Sequence, residues 1–194
     1  MTSTGRRDIH GFALLAGMVA LMWVVEVVDL AAGDLDSAGI QPRDADGLAG
    51  IALAPFLHAG FGHLVANTVP FVVLGAVIAL GGLGRVATVT AIVALVAGLG
   101  TWLVAPAHTV HIGASGVVFG YVAYLIVRGL YSRSALHLAA GAIVAVVWGG
   151  TALAGLLPEE GISWQGHLFG AVGGLLAARL LHRRADPTGH LVAR

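Results

Sequence analysis

The chain has 194 residues, of which 58% are hydrophobic and only 10% charged, with a mean hydropathy of +0.91. A water-soluble domain carries about 25% charged residues, so that class is excluded, and the lack of cysteine excludes disulfides and thiolate metal sites. Ten basic residues balance ten acidic ones, so net charge points to no partner class, and no nucleic-acid partner is expected.

A helix needs about 20 mostly apolar residues to cross the hydrocarbon core of a bilayer. Six segments meet this pattern, near Gly11–Leu30, His63–Leu80, Val86–Ala105, Ser115–Leu130, Leu136–Leu156 and Gly166–Leu181. The expected architecture is all-α and polytopic, one membrane domain over residues 1–194. A polar N-terminus (1–10) precedes the first span and a polar tail (182–194) follows the last. The first apolar run is longer than the core of a cleaved signal peptide and is read as a retained span.

Arginine placement sets the sides. All ten basic residues are arginine, and with the N-terminus inside only Arg43 falls outside. Such a bias predicts six spans with both termini cytoplasmic, in the inner or plasma membrane of the cell. Glu26 and Asp29, near the outer end of the first segment, are expected at the interface.

The second segment carries His63 and Asn67, four residues apart and so on one helix face, with His58 just upstream. Asn67 is the only asparagine in the chain. The bland reading is an interhelical hydrogen bond by Asn67 and histidines at the interface. The fourth segment opens with Gly113-Ala114-Ser115-Gly116. Taken alone, this is the small-residue composition of any close helix contact. The sixth opens with Trp164-Gln165-Gly166-His167, where a lone histidine is equally compatible with a structural hydrogen bond.

Topology changes that balance. Segments two, four and six all run from outside to inside, so Ser115, His167, His63 and Asn67 fall at similar depth near the outer ends of three spans. A serine hydroxyl becomes a useful nucleophile when a neighbouring base takes its proton, a role neutral histidine suits. Preorganised N–H donors are needed wherever an oxyanion develops. His63, Asn67 and the Ser115 backbone N–H are candidates. Gly113 and Gly116 permit close backbone approach, and no carboxylate is placed to orient His167, so a Ser-His dyad is expected. Gly116 and Gly120, with Gly166, Gly170 and Gly174, form small-residue faces that let segments four and six meet.

In order and on these spans, His58-x₄-His63-x₃-Asn67, Gly113-Ala114-Ser115-Gly116 and Gly166-His167-x-x-Gly170 resemble the bacterial rhomboid family of intramembrane serine proteases. The resemblance covers roughly Gly39 to Leu181, a rhomboid-like core of about 39–181. It implies a six-helix bundle with a water-filled cavity open to the outer face. Ser115 would be the nucleophile, His167 the general base and acid, and His63 and Asn67 the lining of the oxyanion site. His58 would organise the nearby loop. Expected partners are transmembrane protein substrates and the lipid bilayer; neither cofactor nor metal is implied. Two departures stand out: Ala31–Gly62 lacks the Trp-Arg pair of many bacterial relatives, and Phe119 stands where relatives often carry tyrosine. Two rival readings are a rhomboid-like protein that binds membrane clients without cutting them, and a transporter lined by His58, His63, His108, His111 and His167.

Overall fold

The computed structural model describes residues 3–182, so the expected tail over 182–194 lies, apart from His182, outside the described residues. Six long helices dominate: α1 (Ser3–Ala32), α3 (Phe61–Ala79), α4 (Leu83–Val104), α5 (Ser115–Ser132), α6 (Ala135–Ala154) and α7 (Trp164–Leu181). A one-turn helix, α2 (Gly50–Leu53), lies in the long α1–α3 connection among 3₁₀ turns at Leu35–Ala38, Asp46–Leu48 and Ala54–Phe56. Among the described residues the only strand-like pairing is a single bridge between Ile40 and His111. Helix α1 begins earlier than the hydropathy pattern suggests, running through polar residues that precede its apolar stretch Ile9–Ala31.

Among the described residues, five of the long helices are apolar and long enough to cross a membrane; α7 is not among them. The reason is positional. Helix α7 packs along both α4 and α5 and carries Gln165 and His167 as buried residues, so much of its surface meets protein rather than lipid. By contrast Val24, Leu30, Val69, Val146 and Leu153 are exposed. In water so many outward apolar side chains would be an aggregation liability, and in a bilayer they are the solvated surface. The molecule is a multi-pass, all-helical membrane protein.

The α5–α7 seam is closed by glycine. A methyl placed on Gly170 or Gly174 would overlap the carbonyl oxygen of Gly116 or Gly120, and one on Gly120 would come within 2.8 Å of the Gly170 carbonyl oxygen. Helices pressed backbone to backbone in this way gain dispersion contacts, which drive association where lipid is as apolar as the side chains. The inner packing centres on Tyr121, Tyr124 and Leu125 of α5, with Leu74 and Ile78 of α3 and Val89 and Val93 of α4, all buried.

The α1–α3 connection is tied to the bundle by polar bonds. The Arg43 guanidinium donates to the carbonyls of Leu103 (3.2 Å) and Ala105 (2.7 Å), and its backbone N–H to Trp102 O (3.0 Å). Carbonyls at a helix C-terminus lack intrahelical partners, and a cation there also complements the helix dipole. Asp29 takes the Leu35 N–H at 2.6 Å, as an interfacial carboxylate can. Glu26 departs from expectation: it is 4% exposed and its Oε2 has no hydrogen-bond partner among the described residues. Helix α1 lies against α3 and the Ala54–Phe56 turn, which covers a carboxylate that hydropathy alone puts at the surface.

Candidate active site

The N-terminal ends of α3, α5 and α7 meet at one end of the bundle around a cavity of about 890 Å³. Ser115, His167, His63 and Asn67 all line it, from three different helices. Its walls also include Pro70 of α3, Trp148 and Thr151 of α6, and Glu159 and Glu160 of the α6–α7 loop.

Ser115 is the first residue of α5. Its Oγ lies 2.9 Å from His167 Nε2. The other ring nitrogen, Nδ1, lies 2.7 Å from the Gly155 carbonyl oxygen. A carbonyl only accepts, so Nδ1 carries the proton and Nε2 is free to accept the Ser115 hydroxyl. The ring is therefore held in the tautomer that serine activation requires, by a backbone oxygen rather than a carboxylate. A Cβ on Gly155 would come within 2.5 Å of Phe119 Cζ and 3.1 Å of His167 Nδ1, so a side chain there would push on both rings. Phe119 stacks on the imidazole, with ring centroids 3.9 Å apart and planes 8° from parallel. His167 is 7% exposed.

Opposite this pair, the His63 Nδ1 accepts the Ala59 N–H at 3.2 Å, which leaves Nε2 as the protonated nitrogen. That nitrogen borders Gly113: a Cβ on Gly113 would lie 2.8 Å from His63 Nε2 and 3.7 Å from Asn67 Nδ2. Gly113 also has φ +107°, a conformation side-chain-bearing residues rarely adopt. Asn67 Nδ2 gives one proton to His63 O at 3.0 Å and keeps its second. Because α5 begins at Ser115, its first-turn N–H groups have no intrahelical acceptor. Side-chain N–H groups of His63 and Asn67 and the α5 N-terminus thus converge on one small volume beside Ser115, suited to a developing negative charge.

His58 stands behind this layer. It is 1% exposed and its Nε2 accepts the Ala114 N–H at 3.4 Å, bracing the strand that leads into Ser115. Burial, with His63 beside it, pulls its imidazole down to about 4 from an ordinary value of 6.5. Gly116 faces Gly166 O across the seam. Two groups escaped the sequence reading: Gly155, whose carbonyl orients His167, and Ser163, whose hydroxyl lies 2.7 Å from His111, a histidine offered there only as part of a transporter lining. A glycine at the end of one span and a serine just outside another have no periodic signal to mark them. Among the described residues no three His, Asp or Glu side chains are grouped to hold a metal ion, so the histidine-lined transporter reading gains no metal site.

Comparison with known proteins bears on the same segments. A family model described as "Rhomboid domain" matches residues 46–184. An uncharacterized protein of Mycobacterium tuberculosis is 44% identical over 190 residues, covering 93% of this chain and 79% of the relative. One from Mycobacterium leprae is 44% identical over 193 residues, covering 93% and 76%. A Bacillus subtilis protein named "Putative rhomboid protease YdcA" is 29% identical over 131 residues, 67% of this chain and 65% of its own length. With the family match spanning every helix from α2 to α7, the chain belongs to the rhomboid family.

Proposed function

We propose that this chain is an intramembrane serine endopeptidase that cleaves transmembrane segments of membrane proteins by a Ser115–His167 dyad. The observation that carries the reading is the relay Ser115 Oγ to His167 Nε2 at 2.9 Å, with Nδ1 anchored on Gly155 O at 2.7 Å. In the first step His167 Nε2 takes the hydroxyl proton as Oγ bonds to the scissile carbonyl carbon. The carbonyl oxygen becomes an oxyanion facing His63, Asn67 and the Ser115 N–H. Collapse breaks the C–N bond, His167 returns its proton to the leaving amine, and water then hydrolyses the acyl-enzyme by the reverse relay.

The cavity walls support a membrane-borne substrate. Helix α6 packs extensively only on α5, and the cavity is bounded by α3 on one side and α6 on the other. A chain segment reaching Ser115 from the bilayer has a route between those two helices. Six spans in one domain, with α7 as the inner one, both termini cytoplasmic and the site near the outer interface, follow from the arginine bias. In that arrangement the rhomboid core occupies about 39–181, and the protein resides in the cell's inner or plasma membrane.

The test is covalent labelling of the membrane-reconstituted protein with a fluorophosphonate, together with cleavage of a single-span substrate in liposomes. Labelling and cleavage are expected in the wild type and neither in Ser115→Ala; His167→Ala should abolish cleavage. Unchanged labelling in Ser115→Ala would overturn the reading, and a client-binding role without cleavage would take its place.

A further inference from the structure

We infer that His111 is a positioning residue, holding the first turn of α7, and so the ring of His167, through the hydroxyl of Ser163. The inference rests on the dyad proposed above. His111 takes no part in that chemistry, yet, counting backbone and ring, it is the most hydrogen-bonded residue of the segment that leads into Ser115. Its backbone exchanges two hydrogen bonds with Ile40, both 2.9 Å. Its ring lies 2.8 Å from Thr109 Oγ1 through Nε2 and 2.7 Å from Ser163 Oγ through Nδ1.

The proton directions follow from the ends of this chain. The Thr109 hydroxyl donates to the Pro106 carbonyl at 2.6 Å, so its oxygen accepts from His111 Nε2–H. Nδ1 is then the acceptor, and it takes the Ser163 hydroxyl proton. Ser163 Oγ in turn accepts the Gly166 N–H at 3.4 Å, and Ser163 O accepts the His167 N–H at 3.1 Å. Each donor is used once, and one neutral tautomer satisfies every link. Burial, which lowers the proton affinity of His111, favours that neutral ring.

This brace supplies what the local chain lacks. Helix α7 is entered through residues 157–161, which are exposed and end at Gly161 with φ +78°. The backbone hydrogen bonds of that loop are local ones, Ile162 N–H to Glu159 O (3.1 Å) and Trp164 N–H to Ile162 O (3.0 Å). Beside the glycine seam, a side-chain hold comes from the segment that leads into Ser115. His111 stands four residues before Ser115, and Ser163 four before His167. The two bonded pairs, His111–Ser163 and Ser115–His167, close a ring in which movement of α7 away from α5 must break both.

The test measures kcat and KM for liposome cleavage by folded, monodisperse His111→Leu, His111→Asn, Ser163→Ala and Ser163→Thr, each with its Tm. A misplacement of about 1 Å remote from the chemistry can cost about 10²-fold. We expect kcat to fall about tenfold or more in His111→Leu and in Ser163→Ala, with KM within about twofold. Asparagine at 111 keeps an acceptor for the Ser163 hydroxyl, and threonine at 163 keeps the hydroxyl, so both should recover most of the rate. A lowered Tm with unchanged kcat per folded molecule would overturn the inference, as would equal loss in the leucine and asparagine variants. Ser115→Ala runs alongside: residual cleavage there defeats the dyad itself, whereas its loss with full-rate His111→Leu defeats only the brace.

Discussion

Replacing Gly170 with alanine tests whether the α5–α7 seam sets the geometry of the site. The added Cβ would lie 2.9 Å from the Gly116 carbonyl carbon and 3.2 Å from its Cα, and closer still to its oxygen, where ordinary contact begins at 3.4 Å. The obstacle is helix backbone in the first turn of α5, so it cannot swing aside as a side chain would. The helices must part, and relieving the oxygen overlap requires roughly 1 Å, a displacement that can cost about 10²-fold in rate. That movement would stretch the 2.9 Å Ser115–His167 bond beyond hydrogen-bonding range. Overpacking of this kind also costs about 1–3 kcal/mol of stability. The assay is cleavage of a single-span fluorescent substrate in liposomes, with Tm measured on the same preparation. Gly149→Ala is the control, because a methyl there meets nothing within 4 Å. Full-rate cleavage by Gly170→Ala would refute the argument, since the seam would then have slack that the backbone contacts deny.

Asn67→Ala should lower kcat by about 10²–10³-fold with little change in KM, the usual cost of losing one oxyanion donor; an unchanged rate would return Asn67 to a packing role. Phe119→Tyr should retain activity and Phe119→Ala should lose most of it, because the stacked ring keeps the imidazole in plane. Comparable rates for the two would show that Gly155 alone orients His167. His58 gives a pH signature. Its folded value of about 4 lies below the ordinary 6.5, so the unfolded chain binds the proton more readily. The stability His58 contributes is full above about pH 6.5 and is lost as pH falls toward 4. Melting in detergent should therefore weaken across that window, and His58→Gln should flatten part of the slope. A slope identical to wild type would exclude His58 as its source.

Hydropathy carries the multi-pass membrane character in the sequence itself, because crossing a bilayer constrains each helix individually and leaves its mark in consecutive residues. The glycine spacing at 116, 120, 166, 170 and 174 was legible for the same local reason, and it marks the seam that the helices use. Ser115, His167, His63 and Asn67 could be proposed together once topology put them at one depth. What tertiary structure decided are the partners. The carbonyl that fixes the His167 tautomer comes from Gly155, twelve residues earlier at the C-terminal end of α6. The Ser163 hydroxyl finds His111 across fifty-two positions. Glu26 is buried because α1 leans on α3 and on the turn before it, and α7 tolerates Gln165 and His167 because α4 and α5 shield it. A hydrogen-bond acceptor or a neighbouring helix is supplied by packing between distant segments. Periodicity records how one helix divides its faces, not which atom a folded neighbour will present to it.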